Sequence, residues 1–259
     1  MTDVLVLCYH AVSETWPTPL AVTPGQLERQ LSILLERGYR PTTFTEAVTA
    51  APAARTLAVT FDDAYRSVFE IAFPILSRLG VPGSVFAVTG WTGTREPMSW
   101  RGIEEWIGSP HEHELLPMSW ADLLALAGAG WEVGSHTRRH PRLTELDEPA
   151  LRDELRGSKQ DCEENLAMPC RALAFPYGAV DHRVVKAARV AGYEAAGGLP
   201  ARYQSAHILG WSRVGVYRVD DERRFRLKIS STVRTLRATP AGAAVLALAR
   251  RILRGRAAR

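Results

Sequence analysis

Two periods of apolar and polar residues run through this chain. Short apolar runs recur at residues 4–8, 56–59, 84–88, 131–134, 171–175, 193–196 and 211–216. Runs of this length between turn residues predict buried strands. Between them lie stretches of helical period. Residues 24–37 place Leu27, Leu31, Leu34 and Leu35 on one face, opened by Thr23-Pro24 and stopped by Gly38. Further helices are predicted over residues 67–79, 119–127, 147–166 and 180–191. Strands alternating with helices of this length indicate a largely parallel sheet. The rhythm breaks over residues 90–117, which hold Trp91, Trp100 and Trp106 together with His111 and His113. A loop this long in a compact domain is usually functional. Its tryptophans either stack on sugar rings or pack the excursion onto the body. The two histidines flank Glu112 and are expected in solvent, not at a metal.

Composition narrows the class. The chain has 259 residues, 46% hydrophobic and 23% charged, enough for one large core of the α/β barrel kind. No apolar run approaches the ~20 residues of a membrane span. The first residues, Met1-Thr2-Asp3, carry no basic region, and the run over residues 4–8 is too short for a signal core. A cytoplasmic setting is therefore expected. Cys8, Cys162 and Cys170 form no paired motif and read as buried thiols. The net charge of +4 hides an asymmetry: residues 223–259 hold eleven Lys and Arg and no acid, so the rest carries −7. An acidic body argues against a nucleic-acid surface. The domain reading is a catalytic unit over residues 1–222 and a basic helical tail over residues 223–259. In the tail, Leu246 and Leu253 on one side and Arg250, Arg251, Arg254 and Arg256 at the end suit either packing on the body or peripheral contact with an anionic membrane.

The chemistry begins at Thr60-Phe61-Asp62-Asp63, which ends the second apolar run. Adjacent carboxylates in an apolar setting repel each other, and burial raises their pKa values. A cation relieves both problems. Such a pair also serves as a helix cap or a solvated turn. A second stretch, Gly134-Ser135-His136-Thr137-Arg138-Arg139-His140-Pro141, favours the cation. Histidines four apart share one face of a helical turn. Two histidines and one carboxylate make a three-ligand site with a position left for water.

These two stretches and Phe175-Pro176-Tyr177-Gly178 resemble, in order and spacing, the first three motifs of the NodB-homology polysaccharide deacetylases, carbohydrate esterase family 4. The resemblance covers roughly residues 1 to 220. It implies a distorted (β/α) barrel and a divalent metal, Zn2+ before Co2+, Ni2+ or Fe2+, held by Asp63, His136 and His140. It makes Asp62 the general base and places Pro176, Tyr177 and Trp211 at the substrate, with the Tyr177 N–H toward the oxyanion.

The chain departs from the family pattern in two places. The arginine that normally steadies the base is replaced by Ala174, and Arg213 is the candidate substitute. The late Leu-x-x-His motif that supplies the general acid is absent after residue 210. Leu7-Cys8-Tyr9-His10-Ala11-Val12 resembles the opening motif of a rearranged branch, which gives the acid role to His10, with His207 next. The implied activity is metal-assisted removal of N-acetyl groups from an amino sugar in a glycan or its precursor. Rival readings are deacylation or deformylation of a lipid-linked sugar at the inner membrane face, or a metal-containing carbohydrate binder without turnover.

Overall fold

A computed structural model describes residues 3–51, 55–199, 207–239 and 242. The first two apolar runs become the strands β1 (Asp3–Tyr9) and, fifth in chain order, β5 (Arg55–Phe61). Between them come three short strands, β2 (Ala11–Val12), β3 (Ala21–Val22) and β4 (Arg40–Thr42). Then follow β6 (Gly83–Ala87), β7 (Glu132–Ser135), β8 (Ala172–Ala174), β9 (Ala195–Gly198), β10 (Leu209–Ser212) and β11 (Val214–Gly215). Among the described residues nine strands form one parallel sheet in the order β10-β9-β8-β7-β6-β5-β1-β11, with β4 also on β5. The two ends of that order are consecutive in sequence, so the sheet curls into a nearly closed barrel ringed by helices. The fold expectation holds.

The helices form where their caps allow. Thr23 accepts from the Gln26 N–H while the Gln26 side chain bonds back to Thr23, a capping box that opens Pro24–Glu36. Ser119 and Asp122 repeat the device for Trp120–Gly128. Asp147 and Asp181 cap Glu148–Arg152 and His182–Val190. The helix expected over residues 147–166 is continuous but widens by a π-type turn at Asp153–Gly157 before resuming as Ser158–Leu166.

Two apolar layers result. Leu5, Leu7, Leu57, Val59, Val85 and Leu173 face the helices outside the sheet. Val6, Ala58, Phe86, Ala172, Ala174 and Ala195, the alternate positions, fill the barrel. The helix Phe44–Thr49 contributes Phe44, Ala47 and Val48 to this inner cluster. That helix and the strands β2, β3 and β4 lie in stretches too short for a periodic signal. The last strand, expected as one piece, is broken at Arg213 into β10 and β11.

Past the boundary expected at residue 222, packing on the body continues for one helix and then falls away, since Ser231–Ala238 has no buried residue. Glu222–Ile229 continues the body, with Phe225 and Ile229 buried and Lys228 paired to the buried Asp220. The proposed membrane helix over residues 240–256 lies, but for Gly242, outside the described residues. Among the described residues no helix is long and apolar enough to cross a membrane.

Close packing inside the barrel gives a test. A Cβ on Gly134 of β7 would meet the Phe86 ring at 2.7 Å and the Ala172 carbonyl oxygen of β8 at 2.8 Å. Backbone cannot yield cheaply there, so Gly134→Ala should lower the urea midpoint by an amount equivalent to about 1–3 kcal/mol. Gly25, with nothing within 4 Å of its added Cβ, is the control. Gly25→Ala should leave the midpoint unchanged or slightly raised.

Candidate active site

Strand register assembles the site. Cys8 pairs with Thr60 and Tyr9 with Phe61, so the residues that follow, His10 and Asp62, emerge side by side at the C-terminal end of the sheet. The Asp62 N–H bonds to the Tyr9 carbonyl at 3.0 Å and fixes that alignment. Asp63 then turns with φ +70°, a left-handed conformation that swings its carboxylate away from Asp62. His136 follows β7 directly, and its N–H bonds to the Ala87 carbonyl of β6 at 2.7 Å. β8 ends in the turn Pro176–Gly178, where Tyr177 has φ +57°.

Asp63 Oδ1 lies 3.4 Å from His136 Nε2 and 3.4 Å from His140 Nε2. All three side chains are buried. The two histidines do not share a helical turn. A loop brings them together, bent by left-handed backbone at Thr137 (φ +70°) and His140 (φ +60°). The Thr137 and His140 N–H groups are held by the Ser135 and Thr137 hydroxyls at 3.0 and 3.1 Å.

Asp62 has a different partner. Arg213 donates from Nη1 to Oδ1 at 2.6 Å and from Nη2 to Oδ2 at 2.7 Å, and Nη1 also reaches the Thr60 hydroxyl at 3.1 Å. Both charges are buried. The guanidinium comes from the break between β10 and β11, crosses the Phe86 ring at 5.4 Å and reaches Asp62, which Ala174 cannot. The Cys8 thiol donates to Asp62 Oδ2 at 3.3 Å.

The electrostatics separate the two acids. Burial by itself would raise the Asp62 carboxyl, but the Arg213 guanidinium, together with His136 and His10, holds Asp62 well below the usual carboxylate range. Asp63 is pushed well above that range, by burial first and then by the neighbouring Asp62 charge. Burial lowers His10 to about 4, although Asp62 pulls the other way. His136 and His140 are lowered as well, chiefly by burial.

These donors suit a divalent metal. Asp63 Oδ1 is buried with no hydrogen-bond partner. His136 Nδ1 sits 2.9 Å from the Ala174 carbonyl, which leaves its Nε2 lone pair aimed at Asp63. One unpartnered carboxylate oxygen and two neutral imidazoles form a donor set that a cation would complete. Cys8, His10 and Asp62 form a second cluster of potential ligands. There the Arg213 guanidinium already takes both Asp62 oxygens, so a protein cation fills the role.

The other expected residues are distributed as follows. The Tyr177 ring stands edge-on to His140 at 4.6 Å and its hydroxyl donates to the Arg101 carbonyl at 3.2 Å. Pro176 is buried in the same turn. Trp211, expected at the substrate, instead packs against the inner cluster. On a strand it shares the inward face with Arg213 but stands two residues further from the site. His207 is exposed and joins neither donor cluster, and His111 and His113 also stay outside both. The excursion both packs and lines the site. Trp106 meets the buried Trp16 edge-on at 5.9 Å, and Trp100 stacks on His140 at 4.3 Å. Sequence reasoning missed Cys8, although its place two residues before His10 on a strand puts both on one face.

A parallel barrel with an Asp–His–His donor set and an arginine-held carboxylate at its C-terminal strand ends is the arrangement of the NodB-type fold. The chain belongs to the polysaccharide deacetylase family, whose profile matches residues 49–196. YxkH of Bacillus subtilis, a provisionally named polysaccharide deacetylase, is 24% identical over 194 residues, which cover 73% of this chain and 62% of YxkH. A poly-β-1,6-N-acetyl-D-glucosamine N-deacetylase of Staphylococcus epidermidis is 24% identical over 149 residues, 54% of this chain and 46% of the relative. The chain thus spans about half to three-fifths of the length of these relatives. The solved deacetylase PplD of Streptococcus pyogenes superposes with a TM-score of 0.72 at 20% identity, covering 88% of this chain and 98% of PplD. The polysaccharide deacetylase BC0361 of Bacillus cereus gives 0.71 at 21% identity, over 89% and 69%. At these identities the likeness establishes the fold.

The buried histidines make stability depend on pH. In metal-free protein His10 stays neutral down to about 4, whereas an unfolded histidine titrates near ~6.5. Between those values the unfolded chain binds more protons, so this contribution is complete above pH ~6.5 and is lost as pH falls toward 4. Asp63, raised in the folded state, acts in the opposite sense. The readout is therefore the difference between two proteins: His10→Gln should flatten the melting-temperature profile of metal-free protein between pH 4 and 6.5. Parallel profiles would show that His10 is not held neutral.

Proposed function

We propose that this protein removes N-acetyl groups from an amino sugar in a glycan by metal-assisted hydrolysis. One observation carries the reading: a buried carboxylate held ionised by Arg213 stands next to a three-donor set with an unpartnered carboxylate oxygen. The names of the staphylococcal relatives, N-deacetylases of poly-β-1,6-N-acetyl-D-glucosamine, support a polymer of N-acetylglucosamine as the substrate class.

Asp63, His136 and His140 would hold the metal, with Zn2+ the first choice for a set of two imidazoles and one carboxylate. When bound, it supplies a Lewis acid that polarises the acetyl oxygen and acidifies a water. The protein does the rest. Asp62, charged and fixed by two hydrogen bonds, takes the proton from the attacking water. A carboxylate stabilised this strongly keeps a proton only briefly. His10, within 4.8 Å of Asp62 between ligand-type atoms, is the next acceptor and delivers the proton to the departing amine nitrogen. The amide C–N bond breaks as that proton arrives, because an unprotonated amine is a poor leaving group. The Tyr177 N–H, in its left-handed turn, is assigned to the developing oxyanion. Acetate and a free amino sugar are the products.

Arg213 also bears on the non-catalytic reading. The arginine missing at Ala174 was the best support for a carbohydrate binder without turnover. Arg213 supplies the same charge to Asp62 from another strand, and binding alone needs no base.

The test is acetate release from N-acetylated β-1,6-glucosamine oligomers and chito-oligosaccharides with added zinc or cobalt. Asp62→Asn should lower turnover by about 10²–10⁴-fold. It should also melt earlier than the parent, since Arg213 loses its countercharge, while retaining its metal. His136→Ala should lose stoichiometric metal on dialysis. Turnover of Asp62→Asn within about threefold of the parent would assign the base to another group.

A further inference from the structure

Glu154 is a buried acid that the proposed chemistry does not use. It is 2% exposed and lies in the wide turn Asp153–Gly157 of the long helix. Its Oε2 accepts the N–H groups of Arg138 at 2.8 Å and Arg139 at 3.0 Å, two consecutive backbone donors of the loop between the candidate ligands His136 and His140. Its Oε1 pairs with Arg139 Nε at 2.7 Å.

The neighbouring contacts serve the same loop. Arg138 forks onto Asp161 at 2.8 and 2.9 Å and reaches Asp153 at 3.0 Å. Thr89 donates its hydroxyl to Asp161 at 2.6 Å and its N–H to the Thr137 carbonyl at 3.0 Å. Gly157 leaves the Arg138 guanidinium its place, since a Cβ there would collide with it.

The loop needs such support. Thr137 and His140 are both left-handed, a conformation that strains residues other than glycine. The Ser135 and Thr137 hydroxyls brace the ends. Between them, Glu154 takes the Arg138 and Arg139 N–H groups, and a carboxylate that accepts from successive backbone N–H groups fixes their φ and ψ. A helix that widens where the acid turns inward fits this use, because π-type turns recur at functional sites.

We propose that Glu154 is a positioning residue of the metal centre. It acts through the backbone of Arg138 and Arg139 to hold the His136 and His140 imidazoles at the spacing Asp63 requires. This rests on the reading of Asp63, His136 and His140 as metal ligands. Loss of an outer partner of this kind typically costs 10–100-fold in metal affinity.

The test uses the full-length protein and zinc alone, titrated in competition with a chromogenic chelator. Far-UV circular dichroism of the metal-free form checks folding. Glu154→Ala should bind zinc about 10–100-fold more weakly and alter the visible spectrum of the cobalt-substituted protein. Glu154→Gln keeps an oxygen able to accept both N–H groups and should stay within about threefold of the parent. If Glu154→Ala does not fold, Glu154→Asp, which withdraws the carboxylate by one methylene, carries the test and should lose affinity in the same direction. Parent-like zinc affinity and an unchanged cobalt spectrum in the folded variant would overturn the role of Glu154 alone. Absence of zinc binding by the parent would overturn the ligand assignment, and the positioning role with it.

Discussion

The ion pair between Asp62 and Arg213 is the constraint on which the rest depends. Both partners are buried, and stripping water from two charges costs several kcal/mol per ion unless geometry and further hydrogen bonds compensate. Here the fork is bidentate, Thr60 accepts from the guanidinium and Cys8 donates to the carboxylate. Breaking such a pair by removing one member typically costs about 3–5 kcal/mol. The pair is also a structural clasp. It ties β5 to the break between β10 and β11, where the two ends of the sheet come together.

That pair also explains how adjacent aspartates can have opposite characters. With Arg213 committed to Asp62, the second carboxylate has no protein cation. Asp63 turns left-handed and faces two imidazoles, with the Tyr65 hydroxyl its one hydrogen-bonding neighbour besides. Burial, and then the neighbouring Asp62 charge, raise the Asp63 pKa. The chain supplies a cation to Asp62, and the proposed metal would supply one to Asp63. The division sets what each acid can do. An arginine-bound carboxylate remains basic enough to accept a proton in passing but cannot leave its position. A carboxylate oxygen left without a partner beside two imidazoles has the character of the proposed ligand.

Much of this was legible in the sequence, and the failures have physical causes. The apolar runs that became β1, β5, β6 and β7 declared themselves because a strand buried on both faces is apolar throughout. The Asp-Asp pair and the two histidines stood out by residue type. The inference from histidine spacing to a helical turn failed, because spacing reports a helix only where the backbone is right-handed. Thr137 and His140 at positive φ achieve the same convergence in a loop. Arg213 was found by looking for a replacement for the arginine absent at residue 174. Its contact with Asp62 spans 151 positions and has no local signature. Trp211 packs against the inner cluster, since strand alternation turns it to the inward face. Glu154 was missed because an acid on a highly charged helix reads as solvated.

The placement of charge along the long helix shows why a buried acid belongs there. Solvated carboxylates on a helix make exposed pairs worth little, typically well under 1 kcal/mol. Glu154 instead turns inward to two backbone N–H groups, a stronger, charge-assisted arrangement. The helix gives up regular geometry over Asp153–Gly157 to place it. A loop with two left-handed non-glycine residues would relax if released, and relaxation would separate imidazoles whose Nε2 atoms now lie 3.4 Å from one carboxylate oxygen. The strand β7 fixes where the loop begins, the Thr89 and Gly90 N–H groups hold its Thr137 and Arg138 carbonyls, and the helix adds the hold on the Arg138 and Arg139 N–H groups. The site is therefore built from two supports of different stiffness. The sheet holds Asp62, Asp63 and His10 through backbone register, while a side chain reaching in from the helix layer holds the path that brings His140 back to His136.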